Sequence, residues 1–447
     1  MTDRIKRGSG ITRREFLAAA GGLAALPLVN AVSACAPALV LPDFATGLSL
    51  GYTTGDVTPD GALIWLRSEP GASVSLEYGR DPQLNGAAST PATIIGKDSD
   101  GTVQIALNGL QPSTYYYFRA IVRGKSPGPI GRFLTAPRLD DLSIVKFCFS
   151  GDSREGYQPF TIMDAINANQ PNFFVHLGDT VYADRGGTAT HLPEFWAKYR
   201  GNRDAASQRL FSDTSIYVIW DDHEVYDNYE GSPAVAIPAR KAFFDYWPVR
   251  RDPLEADRLY RSFRWGRALE LFLLDNRQYR DHDHGTMLGE RQKEWLFEGI
   301  ARSSALYKVI GSSVPLYGGG RDRWDGYPKE RSQLFNWIVE KQIPGVVFIS
   351  ADLHYAAVRK IPGPGAMKQI VAGPLAAPMN IIASGNSRRF EFFSNKTFNF
   401  AMITVDPRGP LPQMTVEFRD ENNRPLYKTA IKPSRFVSIS DSRQLRD

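Results

Sequence analysis

Four apolar segments of this chain end in acidic residues. Three of them run into an aspartate directly or after one glycine, and the fourth reaches one after a single alanine. The junctions read Ser150-Gly151-Asp152, Leu177-Gly178-Asp179, Trp220-Asp221-Asp222-His223-Glu224 and Ser350-Ala351-Asp352-Leu353-His354. In open α/β sheets, ligands bind where the carboxyl ends of the strands meet the loops. Carboxylates gathered there with His and Tyr are ligands for hard metal ions, so the pattern predicts a metal-dependent hydrolase.

Composition narrows the choice of metals and partners. With 447 residues, 43% apolar and 23% charged, the chain is long enough for two or three globular domains. A net charge of +5 without a dense Lys/Arg run argues against a nucleic-acid scaffold. Two cysteines exclude a disulfide framework, and six histidines are few for a His-rich zinc site. Oxygen ligands instead favour iron, manganese, calcium or magnesium.

The N-terminus has the features of a targeting segment. Arg13-Arg14 precede a moderately apolar, Ala/Gly-rich stretch over residues 16–32, which resembles a signal for the twin-arginine export machinery. The stretch is short and interrupted by glycine, which argues against a permanent spanning helix. The alternative is a buried N-terminal helix. We expect residues 1–40 to be a signal peptide and the product to be exported.

A possible lipidation site follows the apolar stretch. Val32-Ser33-Ala34-Cys35 resembles a lipoprotein processing box. Cleavage before Cys35 would leave a lipidated N-terminus, anchored to a membrane without spanning it. The alternative is ordinary cleavage nearby, which gives a soluble periplasmic or secreted protein.

The remaining chain divides by its strand and helix patterns. Residues 45–137 contain short alternating strands separated by Gly, Pro, Asp and Asn, which predicts an all-β, fibronectin type III-like sandwich. From residue 143 to 447, strands and helices alternate, which predicts an α/β catalytic domain. The helical candidates are residues 160–169, 192–199, 238–247, 289–301 and 330–341.

The first two acidic junctions are the leading candidates for metal ligands. A glycine before Asp152 and before Asp179 allows a sharp turn, so each carboxylate can project into the crevice. Two metals roughly 3.5–4 Å apart favour phosphate ester hydrolysis, and Asp179 is our candidate for the bridging carboxylate. Tyr182 is a candidate ligand of trivalent iron. The alternatives are turn or N-cap aspartates and a buried aromatic residue.

The later junctions extend this ligand set. Asp221 and Asp222 are candidate metal ligands, with His223 as an acid or supporting imidazole and Glu224 as an orienting carboxylate. Further oxygen and nitrogen ligands are Asn228, Asp352 and His354. The alternative for Asp221-Asp222-His223-Glu224 is a solvated, charged segment at the surface. We expect two or more metal ions, iron or calcium foremost, with manganese and zinc as alternatives.

Two arginines are candidates for binding phosphate oxygens. Arg277 lies in Leu274-Asp275-Asn276-Arg277, and Arg154 follows the first acidic junction. A guanidinium group suits bidentate contact with phosphate. The alternative for both is ion pairing at the surface.

Together these segments resemble the alkaline phosphatase D (PhoD-like) family of metallophosphoesterases. The similarity also includes the segments Gly51-Tyr52, Thr58-Pro59-Asp60, His176-Leu177-Gly178-Asp179 with Tyr182, and Gln292 with Trp295-Leu296. The resemblance implies a catalytic core of two facing β-sheets flanked by helices. It also implies hydrolysis of phosphomonoesters and phosphodiesters by a metal-held hydroxide. As a hypothesis for the mechanism, Arg277 stabilises the developing charge and His223 protonates the leaving oxygen.

One position departs from the family. Some members have a cysteine, an iron ligand, where this chain has Gly151, and Cys148 lies inside the preceding strand. An iron site of Asp and Tyr, similar to that of purple acid phosphatases, and a calcium or manganese site both stay open. Two other functions also stay open: an enzyme that acts mainly as a phosphodiesterase or phospholipase D-like enzyme, and a catalytically degenerate binding or scaffold protein.

Overall fold

A computed structural model describes residues 47–362, 367–385, 388–409 and 412–433 of the chain. All of them belong to one compact unit. The twin-arginine segment and Cys35 lie outside the described residues, so both stay sequence-based predictions.

A nine-stranded sheet forms the first layer of the core. Its central strands β10 (Val145–Ser150), β11 (Phe173–Leu177) and β12 (Ser215–Ile219) are parallel neighbours. They are almost entirely buried, as expected for strands covered on both faces. The outer strands are β20 (Asn399–Asp406), β21 (Gln413–Asp420) and β22 (Pro425–Ile431) beyond β10, and β1 (Leu48–Gly55), β2 (Gly61–Ser68) and β6 (Thr102–Asn108) beyond β12.

A seven-stranded sheet forms the second layer. Its strands β14 (Leu269–Leu273), β15 (Tyr307–Gly311) and β16 (Val346–Ser350) are again parallel neighbours. The remaining strands are β13 (Arg261–Trp265) at one edge, and β18 (Lys368–Val371), β17 (Ala356–Lys360) and β19 (Phe390–Ser394) at the other side. One continuous apolar cluster joins the two sheets, including Phe147 and Val175 from the first and Leu271 and Val309 from the second.

Six α-helices among the described residues cover the outer faces of these layers. An apolar cluster packs the first four helices against the nine-stranded sheet, and another packs the last two against the seven-stranded sheet. The helices are α1 (Thr161–Ala168), α2 (Leu192–Gly201), α3 (Ala205–Asp213), α4 (Ala236–Tyr246), α5 (Gly289–Arg302) and α6 (Pro328–Glu340). The sequence pattern missed α3, whose N-cap Asp204 accepts a hydrogen bond from the Ser207 N–H.

The strands of residues 45–137 are divided between two sheets. Gly55 of β1 pairs with Ile216 of β12, so this segment adds three strands to the nine-stranded sheet. The others form a smaller antiparallel sheet: β3 (Ser73–Gly79), β4 (Ala88–Ser89), β5 (Thr93–Ile94), β7 (Tyr115–Val122), β8 (Lys125–Pro127) and β9 (Gly131–Leu134). Its apolar residues belong to the same cluster that joins the two large sheets.

Candidate metal centre and phosphate site

The carboxyl ends of the two large sheets bring the predicted ligands together. In the first sheet, Ser150 pairs with His176 and Leu177 pairs with Ile219, so the three central strands end side by side. Asp152, Asp179 and Asp222 follow these ends. In the second sheet, the end of β16 carries Asp352 and His354. Although the junctions are far apart in sequence, the ligand candidates from both sheets converge at one site.

Their donor atoms are close enough to hold metal ions. Three sets each place three donor atoms within 4.8 Å of one another. The sets are Asp152 with Asp179 and His354, Asp179 with Asp222 and His223, and Asp221 with Asp222 and Asp352. Because Asp179 belongs to the first two sets and Asp222 to the last two, the sets form one continuous centre. Asp179 is therefore the carboxylate that the first two sets share.

Some carboxylate oxygens of this centre lack a hydrogen-bond partner within the described part of the chain, as expected for residues that bind cations. One oxygen of Asp152 and one of Asp221 are buried without a hydrogen-bond partner among the described residues. Burial, reinforced by the neighbouring carboxylates, raises the pKa of Asp152 and of Asp179 well above the ordinary value. Burial also raises the pKa of Asp221 to about 8, although Arg277 opposes the shift. Buried carboxylates this close are stable as anions only when cations compensate them.

The backbone at four of these ligands is in the left-handed region. The φ angles are 65° at Asp152, 53° at Asp179, 63° at Asp352 and 53° at His354. Such conformations are uncommon for residues with a side chain and cluster at functional sites. Close packing adds to the constraint, because a Cβ atom on Gly373 would lie 2.4 Å from Asp152 Oδ2. The sharp turns therefore aim the carboxylates inward.

Tyr182 and His354 face each other across the centre. The Tyr182 hydroxyl lies 3.3 Å from His354 Nε2, and the phenol is 3% exposed. His354 Nδ1 is hydrogen-bonded to the Pro378 carbonyl, which requires the proton on Nδ1 and leaves Nε2 as a lone-pair donor for a metal. Burial and the charges of Asp179 and Asp152 raise the pKa of Tyr182. A phenolate here requires a strongly charged cation.

Glu224 ties two of the ligand loops together. Its carboxylate accepts hydrogen bonds from the Asp179 and Thr180 N–H groups at 3.3 and 2.6 Å, and from the Thr180 hydroxyl at 2.7 Å. It also accepts one from the Asp221 N–H at 2.8 Å. Since Glu224 is buried and holds both junctions, it is placed as the orienting carboxylate that the sequence predicted.

His223 is positioned for proton transfer. Its Nδ1 lies 2.8 Å from Asp184 Oδ1, and its ring stacks on Tyr182 with centroids 4.2 Å apart. Burial alone lowers the pKa of His223, but the hydrogen bond to Asp184 and the charge of Asp222 outweigh it and raise that pKa. The hydrogen bond to Asp184 and the charge of Asp222 thus favour the protonated imidazole, which is the form that a general acid needs.

Arg277 lies inside the protein, with its guanidinium group fully engaged. Its Nε donates to Asp221 at 2.6 Å, and Nη1 and Nη2 donate to Asp322 at 2.6 and 3.1 Å. Nη1 also donates to the Tyr229 carbonyl, and Nη2 lies 3.3 Å from Asp222. The side chain is 0% exposed. In this arrangement Arg277 orients carboxylates and does not project toward a substrate.

Two other predicted residues lie at the edge of the centre. Arg154 places its guanidinium carbon 6.0 Å from the centre of the Tyr182 ring. Asn228 is exposed, and its side-chain amide donates to Asp227 at 3.0 Å. Its backbone N–H donates to Asp222 Oδ2 at 2.6 Å. In this conformation Asn228 supports Asp222 through its main chain.

Sequence reasoning missed several residues that complete the site. Asp184, two residues after Tyr182, pairs with His223. Asp322 holds Arg277, and Arg323 donates from Nε to Asp352 Oδ2 at 2.6 Å. The Ser313 hydroxyl donates to Asp221 at 2.7 Å. The run Gly318-Gly319-Gly320 directly before Arg321-Asp322-Arg323 was the available signal of an irregular loop that carries charge.

The sequence model of the PhoD-like phosphatase family matches residues 147–385, and that of its N-terminal domain matches residues 34–137. This chain belongs to the PhoD-like phosphatase family. Alkaline phosphatase D of Bacillus subtilis (strain 168) is 24% identical, over 76% of this chain and 71% of that protein. The family assignment confirms the resemblance drawn from the motifs.

Solved structures share the fold. The structure of PhoD aligns with a TM-score of 0.76 at 20% identity, covering 88% of this chain and 90% of that one. A purple acid phosphatase from yellow lupin (Lupinus luteus) seeds aligns with a TM-score of 0.64 at 14% identity, covering 85% and 74%. The predicted fold of two facing sheets flanked by helices, with a strand-rich N-terminal part, is confirmed. Within the described residues, none of the helices has the length and apolar character needed to span a membrane.

Proposed function

We propose that this PhoD-like phosphatase is an exported, metal-dependent hydrolase of phosphomonoesters, phosphodiesters or both. The observation that carries the proposal is the centre formed by Asp152, Asp179, Asp222, Asp352 and His354, with unpartnered oxygens on Asp152 and Asp221. Burial raises the pKa values of Asp152, Asp179 and Asp352, so these carboxylates are stable as anions when cations are bound. A phosphoryl group is the ligand that such cations attract.

Asp152, Asp179 and His354 would hold one metal ion, with Tyr182 beside them. Asp179 and Asp222, together with Asp221 and Asp352, would hold a second. When bound, these ions would supply Lewis-acid charge and lower the pKa of a water molecule. The phenol and oxygen-rich donor set supports iron and/or calcium, with manganese or zinc as alternatives.

The chain's own residues have separate tasks in this proposal. His223, whose protonated form is favoured by Asp184, donates a proton from Nε2 to the leaving oxygen. Glu224 fixes the loops of Asp179 and Asp221, so the ligands need little rearrangement when substrate binds. Arg277 fixes Asp221 and Asp222. Arg277 therefore does not stabilise the charge on the substrate, contrary to the prediction from the sequence. A cation that can reach the substrate would do so.

Elemental analysis of protein exported through its own signal tests the metal centre. We expect at least two metal ions per chain, and the elements found will distinguish an iron-containing centre from one with divalent ions only. Protein that stays metal-free after incubation with iron, manganese and calcium would overturn the proposal and favour a binding or scaffold protein.

The variant Asp179→Asn tests catalysis directly. It removes charge from the shared ligand at nearly constant volume, so turnover should fall to background while the circular dichroism spectrum stays unchanged. The exposed substitution Asp257→Asn is the matched control. Undiminished turnover in Asp179→Asn would contradict the role of this centre.

The monoester or diester preference and the final location of the protein need separate measurements. Comparing 4-nitrophenyl phosphate with bis(4-nitrophenyl) phosphate distinguishes a phosphatase from a mainly diester-directed, phospholipase D-like enzyme. Mass spectrometry of the mature N-terminus distinguishes a lipid on Cys35 from a soluble periplasmic or secreted product. Replacing Arg13-Arg14 by Lys-Lys tests use of the twin-arginine machinery, because it should stop export.

A further inference from the structure

A cavity of about 380 Å³ lies next to the segment that carries His354, and apolar residues line it together with the polar residues Arg359, Asn380 and Ser384. Among the described residues, its walls include Leu353 and Tyr355, which flank His354 in sequence, together with Ile382, Phe390 and Phe393. The same segment that carries a candidate metal ligand thus contributes two side chains to the cavity.

The wall of the cavity is aromatic and well packed. The rings of Tyr355 and Phe393 have centroids 4.9 Å apart, and those of Phe390 and Phe393 are 5.4 Å apart. Arg359 also lines the cavity, with its guanidinium carbon 5.4 Å from the centre of the Phe390 ring. Ile382 lies at the rim of the cavity, and its side chain is 92% exposed.

Arg323 and Gly318 connect this cavity to the metal centre. Gly318 lines the cavity, and a Cβ atom there would lie 2.7 Å from Leu353 Cδ1 and 2.9 Å from Arg323 Cδ. The guanidinium end of Arg323 reaches Asp352, with Nε to Oδ2 at 2.6 Å. The stem of Arg323 therefore lies between the metal-binding carboxylates and the cavity.

Arg323 is also more accessible than Arg277. Its side chain is 23% exposed, whereas that of Arg277 is 0% exposed. One of its donors, Nη1, contacts only the Gly319 carbonyl at 3.3 Å among the described residues. A planar guanidinium at this position can turn its outer donors toward phosphoryl oxygens.

We propose that the cavity binds the apolar aryl or alkyl group of a phosphate ester whose phosphoryl group lies at the metal centre. Arg323 contacts the phosphoryl oxygens at the boundary between the two parts of the site. This inference rests on the proposed function and specifies its substrate class: esters with an apolar organic group, in preference to esters of polar alcohols such as glycerol.

Calorimetric titration of the metal-loaded enzyme with methyl-, butyl- and octylphosphonate tests the inference without requiring turnover. These probes share one phosphoryl-like head group and differ only in chain length. Burial of each methylene in an apolar site tightens binding roughly threefold to fourfold. We expect affinity to rise steeply with chain length until the cavity is filled.

Two variants and a control locate the effect. Ala383→Trp fills the cavity and should remove the chain-length dependence while methylphosphonate still binds. Ile382→Asn should weaken octylphosphonate by about tenfold. Ile381→Asn is the matched control, because Ile381 is 82% exposed next to Ile382 but is not among the cavity-lining residues. It should bind all three probes like the wild type.

The role of Arg323 has its own readout. Arg323→Met should weaken all three phosphonates by a similar factor of about ten or more, while the metal content stays at the wild-type value. Arg323→Lys should restore part of the affinity. If the metal content falls in parallel with affinity in both variants, Arg323 supports Asp352 only and does not contact phosphate.

The outcomes separate this inference from the proposed function. If methylphosphonate binds and chain length has no effect, or if Ile381→Asn flattens the dependence as much as Ile382→Asn does, the cavity is not the site of the organic group. If no phosphonate binds the metal-loaded enzyme and no phosphate ester is hydrolysed, the proposed function itself fails.

Discussion

Arg277 and Asp221 form a hydrogen-bonded ion pair that lies entirely inside the protein. Nε and Oδ1 are 2.6 Å apart, and the two side chains are 0% and 2% exposed. The other oxygen of Asp221 has no hydrogen-bond partner among the described residues. One side of this carboxylate is therefore fixed by an internal cation, and the other is left for the metal centre.

Replacing Arg277 should destabilise the fold. Arg277→Met leaves Asp221 and Asp222 without the cation that they share, whereas Asp322 keeps its ion pair with Arg280. Breaking a buried ion pair by removing one partner costs about 3–5 kcal/mol. We expect a loss of that order in the free energy of unfolding from urea denaturation. Arg321→Met, at a side chain that is 63% exposed, should change it by less than about 0.5 kcal/mol. Equal effects would contradict the structural role of Arg277.

Replacing Glu224 should weaken metal binding more than folding. Glu224→Gln keeps the size of the side chain but turns one acceptor into a donor that faces N–H groups. Loss of such a supporting contact typically lowers metal affinity by about 10–100-fold. Competition titration with a chelator measures this, and Glu230→Gln, on an exposed residue of the same loop, is the control. Unchanged metal affinity would show that the ligand loops hold their shape without Glu224.

Asp184 should set the pH range of catalysis. Its hydrogen bond contributes to the raised pKa of His223, so Asp184→Asn should lower that pKa. A general acid works only while protonated, and the alkaline limb of the kcat profile should therefore move to lower pH. NMR titration of the His223 ring gives the same pKa independently. A shift of the NMR pKa without a shift of the kcat limb would exclude His223 as the acid.

Without bound metals, the protein should become less stable as the pH rises. Burial, together with neighbouring carboxylates, raises the pKa of Asp152 and Asp179, and burial raises that of Asp221 to about 8. The folded state thus holds protons that the unfolded chain, with Asp pKa values near 4, releases. The free energy of unfolding of metal-free protein should therefore fall as pH rises from about 6.5 to about 8. Below about pH 6.5, burial opposes this trend, because it lowers the pKa of His176 to about 3 and also lowers the pKa of His354.

The pKa of Asp222 is shifted in the opposite direction, but its effect on the free energy of unfolding falls at lower pH. Burial raises its pKa, yet the charges of Arg277 and His223 outweigh burial and lower that pKa to about 2. Its contribution is lost only as pH falls below about 4. Urea denaturation of chelator-treated and metal-loaded protein at several pH values from about 6.5 to about 8 checks the prediction. A stability of the metal-free protein that rises with pH over this range would contradict it.

The strand ends and their acidic residues could be predicted from the sequence, because each depends only on a few consecutive residues. A buried strand followed by a turn and an aspartate is visible in a few residues, and the edge of a parallel sheet brings such ends together. Glu224 was identified in this way as an orienting carboxylate. The family resemblance rested on the same short segments.

Side-chain partners across the two sheets were not readable. Arg277 looked like a substrate-facing cation, since the sequence does not reveal that the distant loop of Asp322 encloses it. Nor does alternation in residues 48–55 indicate that β1 pairs with β12, because sheet pairing depends on contacts between segments far apart in the chain. The left-handed backbone at Asp152 and His354 likewise depends on the surrounding packing.

The pairing of β10 with β20 has a consequence for how the protein is made. The match to the catalytic family model ends at residue 385, yet Phe149 pairs with Ala401, and the Ser150 hydroxyl donates to the Asn399 carbonyl. A chain that stops at residue 385 would expose the backbone of β10 as a bare sheet edge, a template for aggregation. Asp152, the first of these ligands to leave the ribosome, therefore depends on a strand that is synthesised long after it.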